Sequence, residues 1–414
     1  MGPPTTPPPR TRARGAELLT RLPRPKLLGP ALRGRALRES HAQDWPFPET
    51  YVAGNLTQVY FEGGACFDAM AEAIAAAREY VYLETYILRA DTTGWRIADA
   101  LAERAREGLK VALLYDAFGS LGLDDALLAE LRGAGVEVKA YHPLWPWKQR
   151  WALNQRDHRK ILVCDGSVGF VGGMNLSDAH LSVERGGEGW RDTHVRLEGP
   201  VVVQLQRLFV EEWIRQGGEV LPEAPMAAAR PAGLHARIVE NRQRARRSLV
   251  RGSYFDALYH ARRRVWITNS YFAPDRRFLR AMLRAASRGV DVRVILAGQS
   301  DVPPVTWAGE HLYDRLLRGG VRIFRWTRTV LHAKTALVDE RWCTIGTYNL
   351  DQRSYRYNLE VNATLLGEEV VGLLARAFRL DTAVCEEVEL EHWRKRGLWR
   401  RLRAFIAYRL RRWL

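Results

Sequence analysis

Residues 158–175 read HRKILVCDGSVGFVGGMN, and residues 332–349 read HAKTALVDERWCTIGTYN. Both follow H-x-K-(x)4-D: His158, Lys160 and Asp165 in the first stretch, His332, Lys334 and Asp339 in the second. In both, a glycine stands seven residues after the acid (Gly172, Gly346) and an asparagine ten after it (Asn175, Asn349). One such string is compatible with an ordinary solvated strand pair. Two copies in register are a duplicated site. A histidine and a lysine two apart on a strand project from one face. Joining the copies therefore assembles two imidazoles, two ammonium groups and two amides. That set suits a phosphodiester, whose non-bridging oxygens Lys160, Lys334, Asn175 and Asn349 hold. One imidazole attacks phosphorus while the other protonates the departing oxygen. Asp165 and Asp339 complete the catalytic set as the motif defines it. An acid five residues past the lysine, at the strand's end, nevertheless suits a turn better than chemistry. A working histidine also needs a carboxylate or carbonyl to fix its tautomer. The candidates are Asp192, 34 residues after His158, and Glu360, 28 residues after His332.

Outward from the motifs the two halves read alike. In the first, a helix near 66–78 leads into the apolar run at 80–88. A helix at 95–107, a strand at 110–116, a helix at 124–133 and a strand at 135–141 follow. In the second, a helix near 252–262 leads into an apolar run at 264–272. It is followed by a helix at 276–287, a strand at 291–298, a helix near 307–318 and a strand at 320–326. Such alternation predicts an α/β sandwich with a largely parallel sheet. A repeat of this length predicts two halves related by a pseudo-two-fold axis, with the site at their interface. The boundaries read as a Pro/Arg-rich flexible tail over 1–40, a first half over 41–221 and a connecting segment over 222–250 with room for a short strand inside it. A second half over 251–390 and a basic amphipathic helix over 391–414 complete the chain.

The formal net charge of +16 calls for an anionic partner, nucleic acid or anionic lipid. Only seven lysines occur, against an excess of arginine. Four scattered cysteines with no C-x-x-C pair argue against a zinc site and against a disulfide scaffold, and for a reducing compartment. No run approaches the ~20 apolar residues of a membrane span, and the N-terminus lacks the apolar core of a signal peptide.

The paired motif resembles the phospholipase D superfamily, and the resemblance covers about residues 50–385. Within it, the stretches at 157–178, 190–202 and 345–362 are similar to bacterial cardiolipin synthases, in a short form without N-terminal membrane spans. The resemblance implies a metal-independent double displacement with neither cofactor nor metal ion. His158 forms a phosphohistidine with the phosphatidyl group and His332 acts as acid and base, while Asp192 and Glu360 orient the imidazoles. A second phosphatidylglycerol takes the phosphatidyl group to give cardiolipin, and glycerol is released. The chain departs from the family's usual serine after the motif glycine: Gly173 stands there in one copy and Thr347 in the other. The rival readings are a phospholipase D hydrolase, with water as acceptor, and a nuclease of the same superfamily. A non-catalytic scaffold would have broken motifs. No nucleic-acid partner is expected, because the basic residues concentrate in the tails.

The expected contact with lipid is peripheral, on the cytoplasmic face of a bacterial membrane. The residues from Arg394 onward include nine basic and no acidic ones, with Trp399, Leu402, Ile406, Leu410 and Trp413 on one helical stripe and Phe405 beside it. The alternative for that helix is docking on the protein's own body. A second candidate for lipid contact is the Trp-rich insertion at 142–157, carrying Trp145, Trp147, Lys148, Arg150 and Trp151.

Overall fold

The computed structural model describes residues 48–143, 154–231, 233–242 and 248–412. The tail at 1–40, most of the Trp-rich insertion and Trp413 lie outside the described residues. The first half runs β1 (Val52–Tyr60), α1 (Gly63–Ala76), β2 (Tyr80–Thr85), α2 (Thr92–Arg106), β3 (Lys110–Asp116), α3 (Asp125–Gly133), β4 (Glu137–Tyr141), β5 (Ile161–Cys164), β6 (Val168–Gly172), β7 (His194–Glu198) and α4 (Val202–Arg215). The second runs β8 (Leu234–Asn241), α5 (Leu249–His260), β9 (Arg264–Asn269), α6 (Arg276–Ser287), β10 (Asp291–Ala297), α7 (Pro303–Glu310), α8 (Tyr313–Arg318) and β11 (Arg322–Trp326). It continues through β12 (Lys334–Val338), β13 (Trp342–Gly346), α9 (Gln352–Arg356), β14 (Glu360–Leu366), α10 (Glu368–Ala383) and β15 (Glu386–Glu387). Two helices close the chain, α11 (Leu390–Arg394) and α12 (Leu398–Leu410).

Local chemistry sets these starts. Asp91, Asp124, Ser248 and Asp275 each cap a helix by accepting backbone N–H groups of its first turn. The strand β2 is buried on both faces, which is why it opens as the apolar run Tyr80–Leu83 without alternation. Tyr80 and Tyr82 face one core cluster, Val81 and Leu83 the other. The second of these clusters is closed by Phe67 and Ile74 of α1, Leu101 of α2 and Leu131 of α3. The first is shared by both halves: Phe209 and Trp213 of α4 join Leu374 and Phe378 of α10 in it.

Outward from the central β1–β8 pair, the order β1-β7-β6-β5-β2-β3-β4 mirrors β8-β14-β13-β12-β9-β10-β11, strand for strand. That correspondence, with β1 antiparallel to β8, is the expected pseudo-two-fold. β6 also lies against β13 and β14, so the two halves meet across the motif strands as well as along the sheet.

One expectation needs correction. The sheet is not largely parallel. Among the described strand pairs only β2–β3, β3–β4, β9–β10 and β10–β11 are parallel, because helices carry those crossovers. The motif strands return through tight turns, so β5–β6 and β12–β13 are antiparallel hairpins. The connecting segment at 222–250 does hold a strand. It contributes β8, eight residues long, which pairs with β14 along its length and with β1 on its other side.

Candidate active site

His158 and Lys160 lie in the extended segment entering β5, and His332 and Lys334 at the entry to β12. All four are buried. The spacing works as strand geometry requires. The ring of Tyr86 sits 4.9 Å from that of His158 and 5.1 Å from the Lys160 ammonium, so both project to one side. Tyr271 plays the same part for His332 and Lys334, at 6.4 and 6.0 Å. Lys160 Nζ donates to the His158 carbonyl at 2.8 Å, and Lys334 Nζ to the His332 carbonyl. Arg159 points the other way, into a buried cluster with Glu84, Asp157 and Glu212.

The acids cross over. His158 Nδ1 meets Glu360 Oε2 at 3.0 Å, and His332 Nδ1 meets Asp192 Oδ2 at 2.7 Å. Each histidine is therefore held by a carboxylate from the opposite half. The backbone makes the same exchange: His158 N donates to Leu359 O, and His332 N to Arg191 O. With both Nδ1 atoms engaged by carboxylates, each imidazole keeps Nε2 for chemistry.

The acids themselves are anchored. Glu360 also accepts from the Thr347 hydroxyl at 2.5 Å, the Ser354 hydroxyl at 2.6 Å and Asn358 Nδ2 at 3.1 Å. Thr347 thus serves the acid. In the other copy Gly173 leaves room: a Cβ there would meet Asp192 Oδ1 at 2.1 Å, so any side chain would push the carboxylate aside. Asn349 Oδ1 accepts from Ser270 Oγ at 2.9 Å. Among the described residues, neither motif asparagine's amide nitrogen has a protein acceptor, leaving both for an incoming oxyanion.

Burial and charge shape the protonation states. Burial pushes His158 down to about 4, outweighing Glu360. His332 is lowered by burial and by Lys334, against the pull of Asp192. Burial and the opposing Lys334 bring Lys160 down to about 7, and burial brings Lys334 to about 8. Burial opposes ionisation of Asp192 and Glu360, yet the cations and donors around them hold both carboxyls below the ordinary range. A site of this kind, with two ammonium groups crowding each other, is poised for an anion.

Asp165 and Asp339 leave the catalytic set. They sit beyond the far ends of β5 and β12, at φ 50° and 52°. Asp165 accepts the backbone N–H groups of Arg78, Glu79 and Tyr80 at 2.8–2.9 Å, and Asp339 those of Arg262, Arg263 and Arg264. Their work is to tie the motif hairpins to the starts of β2 and β9.

Sequence reasoning missed Tyr86, Tyr271, Trp190, His180 and Ser354. Trp190 packs 5.5 Å from His332, and His180 5.6 Å from it. The one signal available was position: His180 and Ser354 both stand five residues after the motif asparagine. His180, Asp192 and His332 place potential metal-ligand atoms within 4.8 Å of one another. Asp192 Oδ2 and His332 Nδ1 are committed to each other, and Lys334 adds positive charge beside them, so that pair serves orientation.

The duplicated fold, with one H-x-K motif in each half, is that of a protein of the phospholipase D class. The chain belongs to the cardiolipin synthase family of that superfamily: the family model described as "Cardiolipin synthase, PLD-like domain" matches residues 70–213 and 254–382. It is 36% identical over 361 residues to cardiolipin synthase A of Pseudomonas fluorescens (strain SBW25), covering 86% of this chain and 75% of the relative. It is 34% identical over 357 residues to cardiolipin synthase 2 of Bacillus anthracis, covering 84% and 68%. The crystal structure of phosphatidylserine synthase from Haemophilus influenzae Rd KW20 superposes with a TM-score of 0.68 over 92% of this chain and 99% of that one. At 13% identity that likeness speaks to the fold alone.

Proposed function

We propose that the chain makes cardiolipin from two molecules of phosphatidylglycerol by a two-histidine double displacement. In the first half-reaction His158 Nε2 bonds to the phosphatidyl phosphorus, and the bond to glycerol oxygen breaks. Protonated His332 gives its proton to that oxygen, so glycerol leaves neutral. In the second, His332 takes the proton from a hydroxyl of another phosphatidylglycerol. That oxygen bonds to phosphorus and the phosphohistidine bond breaks, returning both imidazoles to their starting states. Lys160, Lys334, Asn175 and Asn349 hold the non-bridging oxygens throughout. The observation that carries this reading is the crossed pair of carboxylates, which leaves two Nε2 atoms free in one site.

The same reading places the protein peripherally on the anionic cytoplasmic leaflet, where its substrate lies. No helix among the described residues is long and apolar enough to cross a membrane. α12 supports a surface contact. It docks on the body through small residues, with Ala407 against Ala273 and Ala308, and turns its large apolar side chains outward. Trp399 is 83% exposed and Ile406 48%. Docking on the body and display of an apolar stripe, posed as alternatives from sequence, coexist on opposite faces of the helix.

The test is incubation of the purified protein with phosphatidylglycerol vesicles, followed by mass spectrometry of the lipids. Cardiolipin with free glycerol is expected, and His158→Ala and His332→Ala should each lower turnover by roughly a thousandfold or more. Phosphatidic acid in place of cardiolipin would make the protein a hydrolase. Either variant turning over at the wild-type rate would end the two-histidine mechanism.

A further inference from the structure

His180 is 1% exposed, and the chemistry above gives it no task. Its counterpart by position in the second copy is Ser354. Each accepts the backbone N–H of its own motif asparagine. Asn175 N donates to His180 Nε2 at 3.1 Å, and Asn349 N to Ser354 Oγ at 3.3 Å. His180 turns its other nitrogen, and Ser354 the same hydroxyl, towards the acid that serves the opposite half's histidine. His180 Nδ1 faces Asp192 Oδ2 at 3.7 Å, and Ser354 Oγ donates to Glu360 Oε1 at 2.6 Å. Because Nε2 accepts, the proton of the neutral His180 ring sits on Nδ1, on the side of Asp192. The lengths are complementary: the long imidazole is paired with the short aspartate, and the short hydroxyl with the longer glutamate.

We propose that His180 and Ser354 are matched positioning residues, bridging the phosphate-binding asparagine loop to the histidine-orienting acid, and that His180–Asp192 and Ser354–Glu360 are exchangeable as pairs but not singly. The proposal rests on the two-histidine reading and adds to it the element that keeps each acid aimed across the interface. It also accounts for a difference between the half sites. Glu360 shares its charge among four donors, whereas Asp192 has two in hydrogen-bond range, His332 on Oδ2 and the Thr193 backbone N–H on Oδ1, with His180 beyond it. A carboxylate with fewer donors keeps more charge for its histidine, which favours His332 for the role that must carry a proton. The groups facing His180 are Asp192, His332, Lys334 and Lys160, and burial among them keeps its ring neutral.

The experiment compares His180→Ser, Asp192→Glu, the double variant and Ser354→Ala, by initial rates on phosphatidylglycerol vesicles and by the pH profile of kcat/KM. Each of the first two should lose roughly tenfold or more in kcat with little change in KM, and the double variant should recover most of that loss. Ser354→Ala removes one donor from Glu360, leaving more charge facing His158 and raising the pKa of that imidazole. Since only neutral His158 attacks, the acid limb of the profile should move to higher pH. The proposal is overturned by a wild-type rate in His180→Ser, by losses that simply multiply in the double variant, or by an unmoved acid limb in Ser354→Ala. If His180→Ser does not fold, the Ser354→Ala profile decides alone. Wild-type turnover in His158→Ala or His332→Ala would instead overturn the underlying mechanism, a result separate from all of these.

Discussion

Lys160 and Lys334 show how the site is loaded before substrate arrives. Both are buried, and each ammonium is engaged by a histidine carbonyl. In the ligand-free protein they titrate near 7 and 8, far below a free lysine. An anion between them favours the charged forms and raises both values. Binding at pH 8 should therefore draw protons from solvent, and the lysines' share of that uptake should vanish below about pH 6. Titration calorimetry with sulfate, in two buffers of different ionisation enthalpy, reads this directly. Sulfate serves because it has no proton of its own to exchange in this range. Uptake on the order of one proton at pH 8 is expected. Zero uptake there would mean that the lysines are already charged in the empty site.

At the scale of elements, the hairpins β5–β6 and β12–β13 are held at both ends. Their entries carry the histidines and lysines, and their turns are pinned by Asp165 and Asp339. The whole motif is thus one structural unit, with chemistry at one end and fastening at the other. α12 follows a different logic. Ala404 and Ala407 allow close approach to the body, while Leu402, Phe405, Ile406 and Leu410 are turned to solvent among arginines. Exposed apolar groups flanked by cations on one helix fit an anionic bilayer. Replacing Leu402 and Ile406 with Asp should leave the fold and the docked alanine face intact. It should lower sedimentation with anionic liposomes by roughly tenfold or more, given the apolar area and charge lost from the contact. Unchanged sedimentation would assign the membrane contact to another part of the chain.

At the scale of the molecule, neither half holds a complete site, because each histidine depends on the other half's carboxylate. The halves are joined along β1–β8, across β6 with β13 and β14, and through one shared core. The covalent link at 225–231 is exposed and without regular structure. A protease site placed between Met226 and Ala227 should accordingly give, on cleavage, two fragments that stay associated and keep most of the activity. Fragments that separate under native conditions, or that lose activity while still associated, would show that the link itself maintains the site.

Much of this was legible in the chain, and some was not, for identifiable reasons. The doubled H-x-K string, the two asparagines, Asp192 and Glu360 announce themselves because phosphoryl chemistry demands those groups at short, fixed spacings. The helix–strand alternation around them is visible for the same kind of reason, since each element's period is written locally. Antiparallel return of the motif strands and the central place of β8 are long-range pairings, which no local period encodes. The tertiary structure alone decided which acid serves which histidine, since Glu360 lies 202 residues from His158 and Asp192 140 residues from His332. It alone turned Thr347 towards Glu360 and placed His180 beside Asp192. Sequence determined which groups the site contains, because composition and spacing are properties of the chain. Their pairing and protonation were settled only by burial across the interface between the halves, which exists only once the duplicated fold has closed.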